Sequence, residues 1–177
     1  MPKLTEEQER ENERTWQHKH LVTRVLAIMN CELDQRMRMH DQSKLELPEV
    51  EHFAKVNAGG AMSKLTYGSK EYQDTLKGEL SKALEHHYKH NAHHPEHYTN
   101  GISGMTLIDL VELVADWCAA VERHDSGNIW RSLEINKKRF KIEPQLQQIL
   151  KNTVEWLEAR SDFLAAAAAD DKEAGGG

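Results

Sequence analysis

The chain has 177 residues, of which 38% are hydrophobic and 29% are charged, and these proportions are typical of a soluble globular protein. Its 23 Lys and Arg residues against 29 Asp and Glu residues give a formal net charge of −6, which argues against a nucleic-acid binder that works through bulk positive charge. No run approaches the roughly 18 apolar residues of a membrane span, and the charged N-terminal residues lack the apolar core of a signal peptide.

The first predicted helix begins after Thr5. Gln8 follows three residues later, and the pair has the spacing of a capping box. The first predicted core stripe repeats at helical spacing and consists of Val22, Val25, Leu26 and Met29. His18 lies four residues before Val22, so a helix places it on the face that carries this stripe.

A second, short helix is predicted up to a break near Pro48. This predicted helix contains Met37, His40, Asp41 and Lys44. Residues 49–56 follow as a further helical piece. Residues 57–70 contain three Gly and are the clearest loop in the chain.

A longer helix is predicted over residues 71–90. Because Pro95 disfavours a helical conformation for the residue before it, we expect this helix to end near Ala92. The most apolar helix is predicted over 106–123, where three carboxylates interrupt the apolar residues. These carboxylates are Asp109, Glu112 and Asp116.

Two further helices are predicted over 129–140 and 145–169, and Pro144 opens the second of them. No segment shows the sustained alternation of a strand between turn residues. The sequence therefore predicts an all-α helical bundle in a single domain, 1–164. A low-complexity tail, 165–177, is expected to be disordered.

Cys31 and Cys118 are too few for a disulfide framework, and we expect reduced thiols in a cytoplasmic protein. Trp130 and Trp156 suggest a helix-mediated homodimer, although Trp is equally common in a core. The composition is unusual in its 11 His residues against three Phe.

The adjacent His40 and Asp41 are the first candidates for chemistry, because an imidazole beside a carboxylate suits a divalent metal of borderline hardness. Taken alone, such a dipeptide is more often an ordinary surface pair. Asp116 adds weight, since an uncompensated carboxylate within an apolar helix costs several kcal/mol. A metal, a Lys, an Arg or a helix cap can compensate it. His18 is read either as a ligand or as a core histidine.

The order of His18, His40-Asp41 and Asp116 resembles the HD-domain phosphohydrolase superfamily. The resemblance implies an HD-domain-like bundle in which these four side chains hold one divalent ion (Mn, Co, Zn, Fe or Mg) between helices. It also implies hydrolysis of a phosphate ester. Lys44 falls where many HD proteins carry a Lys near the substrate phosphate.

The strings HDQSK, LTYGSKEY, EHHYKHNAHHPEHYTNGISGM and LIDLVELVADWCAA are similar to those of an uncharacterised phage and bacterial HD-like family. This similarity implies the cytoplasm of a bacterium or of a phage-infected host cell. It implies no substrate.

Six His residues fall within twelve positions: His86, His87, His90, His93, His94 and His97. In one interpretation His87, with His93 or His94, binds a second metal ion. In another, His87 is a general acid and His90 and His94 bind phosphate, since imidazole titrates near pH 7. In a third, several of these residues are exposed or favour the helix C-terminus.

The remaining expectations concern the reaction. Asp116 is expected to bind the metal and orient the attacking water, and Lys44 to neutralise the phosphate. Lys64 and Tyr67, in the 57–70 loop, are candidate substrate-binding residues, and such loops are often only connectors.

The leading hypothesis is a metal-dependent phosphohydrolase that uses one ion, or two, to act on a nucleotide or a related small phosphate ester. Nucleoside monophosphates fit the short chain best, and neither a membrane nor bulk nucleic acid is an expected partner. One alternative is a di-iron oxygenase on the HD scaffold. The other is a non-catalytic helical binding module that a metal stabilises.

Overall fold

The structure is a computed structural model, and it describes residues 4–58, 65, 69–78, 80–122 and 127–160. Seven α-helices are found in these ranges. They are α1 (Glu6–Met39), α2 (Glu49–Asn57), α3 (Lys70–Lys77), α4 (Ser81–His90), α5 (Leu107–Glu122), α6 (Ile129–Phe140) and α7 (Pro144–Glu158). Short 3-10 turns lie at Gln42–Leu45, Pro95–His97 and Gly101–Gly104, and none of the described residues forms a strand. The predicted all-α class is confirmed.

The described chain divides by its internal contacts into two units, the first ending at His40 and the second beginning at Asp41. The single domain predicted over 1–164 stays a prediction, and the predicted tail, 165–177, lies outside the described residues. None of the described helices combines the length and apolar composition that crossing a membrane requires.

The first unit is dominated by α1, which begins with the predicted capping box. The Gln8 backbone N–H donates to Thr5 Oγ1 at 3.3 Å, and the Thr5 N–H donates to Gln8 Oε1 at 2.9 Å. Three Glu residues in the first turn and two Arg residues in the last turn complement the helix dipole. Because no breaker interrupts the sequence, α1 continues to Met39, and the predicted separate helix around His40 is wrong.

The predicted core stripe of α1 is not buried. Val22, Val25, Leu26 and Met29 are between 40% and 59% exposed, and α1 contains no buried residue. The helical period was predicted correctly. The prediction that the stripe is buried was wrong, because helical periodicity shows only that these residues share a face and not that another element packs against it.

The core of the second unit lies among the last three helices. Its buried members are Leu113, Val114, Trp117, Leu133, Ile142, Leu150 and Val154. The Asn128 side chain caps α6, and Pro144 occupies the first turn of α7, where its missing N–H costs no hydrogen bond. The predicted bounds of α6 are confirmed, as is the opening of α7 at Pro144.

The helix predicted over 71–90 is interrupted. α3 ends at Lys77 and α4 begins at Ser81, with Gly78 between them. Gly is unfavourable in the interior of a helix. At this break the Ser81 hydroxyl donates a hydrogen bond to the Gly78 carbonyl at 3.0 Å. α4 ends at His90, two residues before the predicted end, and His94 has the extended conformation (φ −97°, ψ 130°) expected before Pro95.

Candidate metal centre

Asp41 is placed by a sharp turn at the start of the second unit. Its φ of 57° lies in the left-handed region, which Asp tolerates better than most residues. The Lys44 N–H donates to the Asp41 carbonyl at 2.9 Å and closes the turn. The Lys44 ammonium also forms an ion pair with Asp41 Oδ2, so a predicted catalytic cation lies beside a predicted ligand.

His87 is placed by the buried face of α4. Leu80, Ala83 and His87 are spaced by three and four residues, and each is no more than 2% exposed. Because two of these positions are apolar, the face packs inward and takes His87 with it. A turn after α4 then brings His93, which is buried, and His94, which is partly buried, back towards His87.

Four of these side chains form one cluster. Asp41, His87, His93 and His94 each offer one ligand atom, and the four atoms lie within 4.8 Å of one another. His87 Nε2 lies 3.2 Å from Asp41 Oδ1 and 2.9 Å from His94 Nε2. His93 Nε2 lies 3.6 Å from Asp41 Oδ1. We call this set the His–Asp cluster.

Glu49 supports the cluster from the first turn of α2. It is fully buried, and its two oxygens accept hydrogen bonds from His86 Nδ1 at 2.6 Å and from His87 Nδ1 at 2.9 Å. Burial opposes ionisation of Glu49, but hydrogen bonds from His86, Ser43 and His87, with the charge of His87, keep its pKa below the usual value. Glu49 is therefore ionised at neutral pH.

Glu112 supports the cluster from α5. Its Oε1 lies 3.1 Å from His93 Nδ1, and its side chain is only 13% exposed. His87 and His93 therefore share one arrangement, with Nδ1 against a carboxylate and Nε2 towards Asp41.

His94 differs electrostatically from an exposed imidazole. Burial, aided by the nearby His93 and His87, lowers its pKa to about 3. Asp116 opposes this shift and Lys44 adds to it, so both charges act on the cluster. At neutral pH His94 is uncharged and keeps the lone pair that a metal ligand needs.

The donor chemistry of the cluster fits a divalent metal ion. Three imidazoles and one carboxylate suit Zn, Fe, Co or Mn better than Mg or Ca, which prefer oxygen ligands. In metalloproteins, the ring nitrogen of a ligating imidazole that does not bind the metal often donates its N–H to a carboxylate.

The predicted site residues are partly brought together. Asp41, His87, His93 and His94 meet in one cluster, and the charges of Lys44 and Asp116 act on it. His90 does not join them, because it is exposed and its ring stacks on His86 with centroids 4.1 Å apart. Lys64 and Tyr67 lie outside the described residues.

The predicted ligand set containing both His18 and His40 requires a correction. His18 lies within α1 and His40 is its C-cap residue, so a rise of about 1.5 Å per residue separates them by about 33 Å. One ion cannot bind both while α1 is continuous. A ligand role for either residue alone stays a prediction.

Two residues of this site were missed from the sequence. Glu112 had a usable signal, because it lies one helical turn before Asp116 on the most apolar helix. Glu49 had none, since a Glu in the first turn of a helix is ordinary and favourable.

Fold and site together define an all-α protein with a largely buried His- and carboxylate-rich cluster that could hold a metal ion. The chain belongs to DUF5662, a family of unknown function whose model matches residues 7–158. No curated protein and no solved structure matches the chain.

Proposed function

We propose that this protein is a metal-dependent phosphohydrolase that acts on a nucleotide or a related small phosphate ester. The observation that carries the proposal is the His–Asp cluster, four ligand atoms from three chain segments within 4.8 Å. In this proposal Asp41, His87, His93 and His94 hold a divalent ion. A metal bound there would lower the pKa of a water molecule and offset charge on a phosphoryl oxygen.

Charged side chains next to the cluster support a phosphate substrate. The Lys44 ammonium has three N–H donors, of which the ion pair with Asp41 occupies one. The others can bind a phosphoryl oxygen. In this proposal the Asp116 carboxylate, whose charge acts on His94, orients the attacking water and accepts a proton from it.

Activity measurements with defined metals test the proposal. Metal-free protein is loaded with Mn²⁺, Co²⁺, Zn²⁺, Fe²⁺ or Mg²⁺ and assayed for phosphate release from nucleoside monophosphates and simple phosphate esters. We expect turnover with at least one ion and its loss in Asp41→Asn, with His20→Ala, an exposed change on α1, as the matched control. A metal-loaded protein that hydrolyses none of these esters would refute the proposal.

The abundance of imidazole favours one further candidate, an iron-dependent oxygenase. Two irons per chain and O₂ consumption with a small polyol or phosphonate would support it, whereas phosphate release with Mn²⁺ or Co²⁺ would reject it. The non-catalytic module is the third outcome. It predicts that the His40→Ala/Asp41→Ala variant unfolds, while an enzyme predicts a folded variant without turnover.

A further inference from the structure

Two carboxylates behind the His–Asp cluster do not belong to the predicted ligand set. Glu49 faces His87 Nδ1 at 2.9 Å, and Glu112 faces His93 Nδ1 at 3.1 Å. The two come from different helices, α2 and α5, yet each meets the side of an imidazole that points away from Asp41. A shared arrangement from unrelated segments requires a common physical reason.

Hydrogen-bond accounting assigns the proton on His87. The two Glu49 oxygens lie 2.6 Å from His86 Nδ1 and 2.9 Å from His87 Nδ1, and because carboxylate oxygens accept hydrogen bonds, each ring donates an N–H from Nδ1. Asn91 also approaches His87 Nδ1, but its two N–H groups are used by Ser43 Oγ and the His87 carbonyl, each at 2.8 Å. In the neutral ring Nε2 then carries the lone pair, which faces Asp41.

His93 shows the same pairing of a ring nitrogen with a carboxylate, since its Nδ1 lies 3.1 Å from Glu112 Oε1. The ε-nitrogens of His87 and His93 then present two lone pairs to Asp41 Oδ1, itself an acceptor. A divalent cation bound beside these atoms would be held by two imidazole nitrogens and a carboxylate oxygen. A hydrogen-bonded carboxylate also raises the basicity of the opposite imidazole nitrogen and fixes the ring.

We propose that Glu49 and Glu112 are positioning residues that hold His87 and His93 as Nδ1-protonated imidazoles, so that the cluster binds a borderline divalent ion such as Zn²⁺ or Co²⁺ in preference to Mg²⁺. This inference rests on the ion-binding part of the proposed function and not on hydrolysis. His94 receives no such support, since no carboxylate among the described residues lies within ion-pair distance of its ring. It is therefore the imidazole whose removal weakens binding least.

Cobalt binding to the full-length, metal-free protein provides the test. The visible absorption of Co²⁺ reports its coordination, and competition by Zn²⁺ and Mg²⁺ gives the order of affinities. We expect one equivalent of Co²⁺ or Zn²⁺ to bind and Mg²⁺ to compete poorly. Glu112→Ala and Glu49→Ala should weaken Co²⁺ binding about 10–100-fold and alter its spectrum.

Conservative variants separate positioning from a purely structural role. Glu49→Gln keeps an oxygen that accepts from His87 Nδ1, so it should recover part of the affinity that Glu49→Ala loses. Glu51→Gln, an exposed change on the same helix, should leave Co²⁺ binding unchanged. Circular dichroism of each metal-free variant checks that it is folded. Should Glu49→Ala fail to fold, Glu112→Ala decides the matter, because Glu112 is less deeply buried.

The outcomes distinguish this inference from the proposed function. Wild-type affinity and spectrum in the folded Glu112→Ala variant would overturn the inference and leave the hydrolase proposal intact. Tight Co²⁺ binding that depends on both Glu residues, without hydrolysis of any ester, would support the inference and reject the hydrolase. A wild-type protein that binds none of these ions would overturn both.

Discussion

α1 exposes apolar side chains that are usually buried, whereas the region of the His–Asp cluster buries polar and charged side chains that are usually exposed. α1 leaves apolar side chains exposed, among them Leu21 and Leu26 at 58% and 59%. The second unit buries groups that prefer water, including Glu49, His87 and His93. An exposed aliphatic side chain loses the free energy that its burial would have contributed, whereas a buried charge without compensation costs several kcal/mol. The buried charge of the second unit therefore depends more strongly on its neighbours, as Glu49 depends on His86 and His87.

The largest expected difference between the two regions concerns apolar truncation. Leu133→Ala, at a fully buried position in α6, should lower the free energy of unfolding by about 2–5 kcal/mol. Leu26→Ala on α1 should lower it by no more than about 0.5 kcal/mol, because the side chain is more than half exposed. Urea denaturation measures both values. Equal losses would mean that the α1 stripe is buried in solution.

Removing a metal-binding side chain should reduce the stability that the protein gains from bound metal. With Zn²⁺ at 100 times its dissociation constant, binding to the native state adds about 2.7 kcal/mol of stability. We expect His87→Ala to abolish this gain, since it removes one ligand and leaves buried Glu49 without one of its two imidazole partners. Thermal unfolding with and without Zn²⁺ gives the measurement, and His20→Ala serves as the control. A persisting Zn²⁺ effect in His87→Ala would place the ion elsewhere.

Capping residues extend the comparison to smaller effects. Thr106 accepts the Asp109 N–H at 3.2 Å and donates to Asp109 Oδ2 at 2.7 Å, and Asp109 is buried. Thr106→Ala should cost about 1–2 kcal/mol in urea denaturation, near the upper end for a cap. Thr5→Ala, at the exposed capping box of α1, should cost less. The opposite order would show that burial of Asp109 does not strengthen its cap.

Thiol reactivity gives the smallest contrast. Burial, with the charges of Glu122 and Glu158, raises the pKa of Cys118, whereas Cys31 is exposed on α1. A raised pKa leaves less thiolate at pH 8, so iodoacetamide should modify Cys118 several-fold more slowly than Cys31. The rate at Cys118 should rise with pH and match that of Cys31 in urea. Peptide mass spectrometry follows both sites, and equal native rates would contradict this assignment.

Local signals predicted much of the helical framework. Thr5 and Gln8 identified the start of α1, the bounds of α6 were predicted as 129–140, and Pro144 identified the start of α7. These predictions succeeded because capping and proline geometry involve only neighbouring residues. The break near Gly78 was missed, since one Gly inside a periodic segment is often tolerated.

The sequence predicted the residue types of the candidate site but not which individual residues form it. His40-Asp41, the His-rich run and Asp116 directed attention to the segments that supply Asp41, His87, His93 and His94 or whose charge acts on them. Spacing did not separate His87, His93 and His94, which meet in one cluster, from His90, which lies on the exposed side of α4. The expected convergence of His18 with His40 failed because continuity of α1 decides their separation.

The sequence by itself determined the helical class, the starts of α1, α6 and α7 and the residue types available for metal chemistry, because these depend on composition and on contacts a few residues apart. Tertiary structure decided which imidazoles turn inward, which carboxylates support them and which apolar stripe becomes a core. These outcomes depend on side chains far apart in the chain, such as Glu49 and His87, whose free energy of burial exists only once they meet.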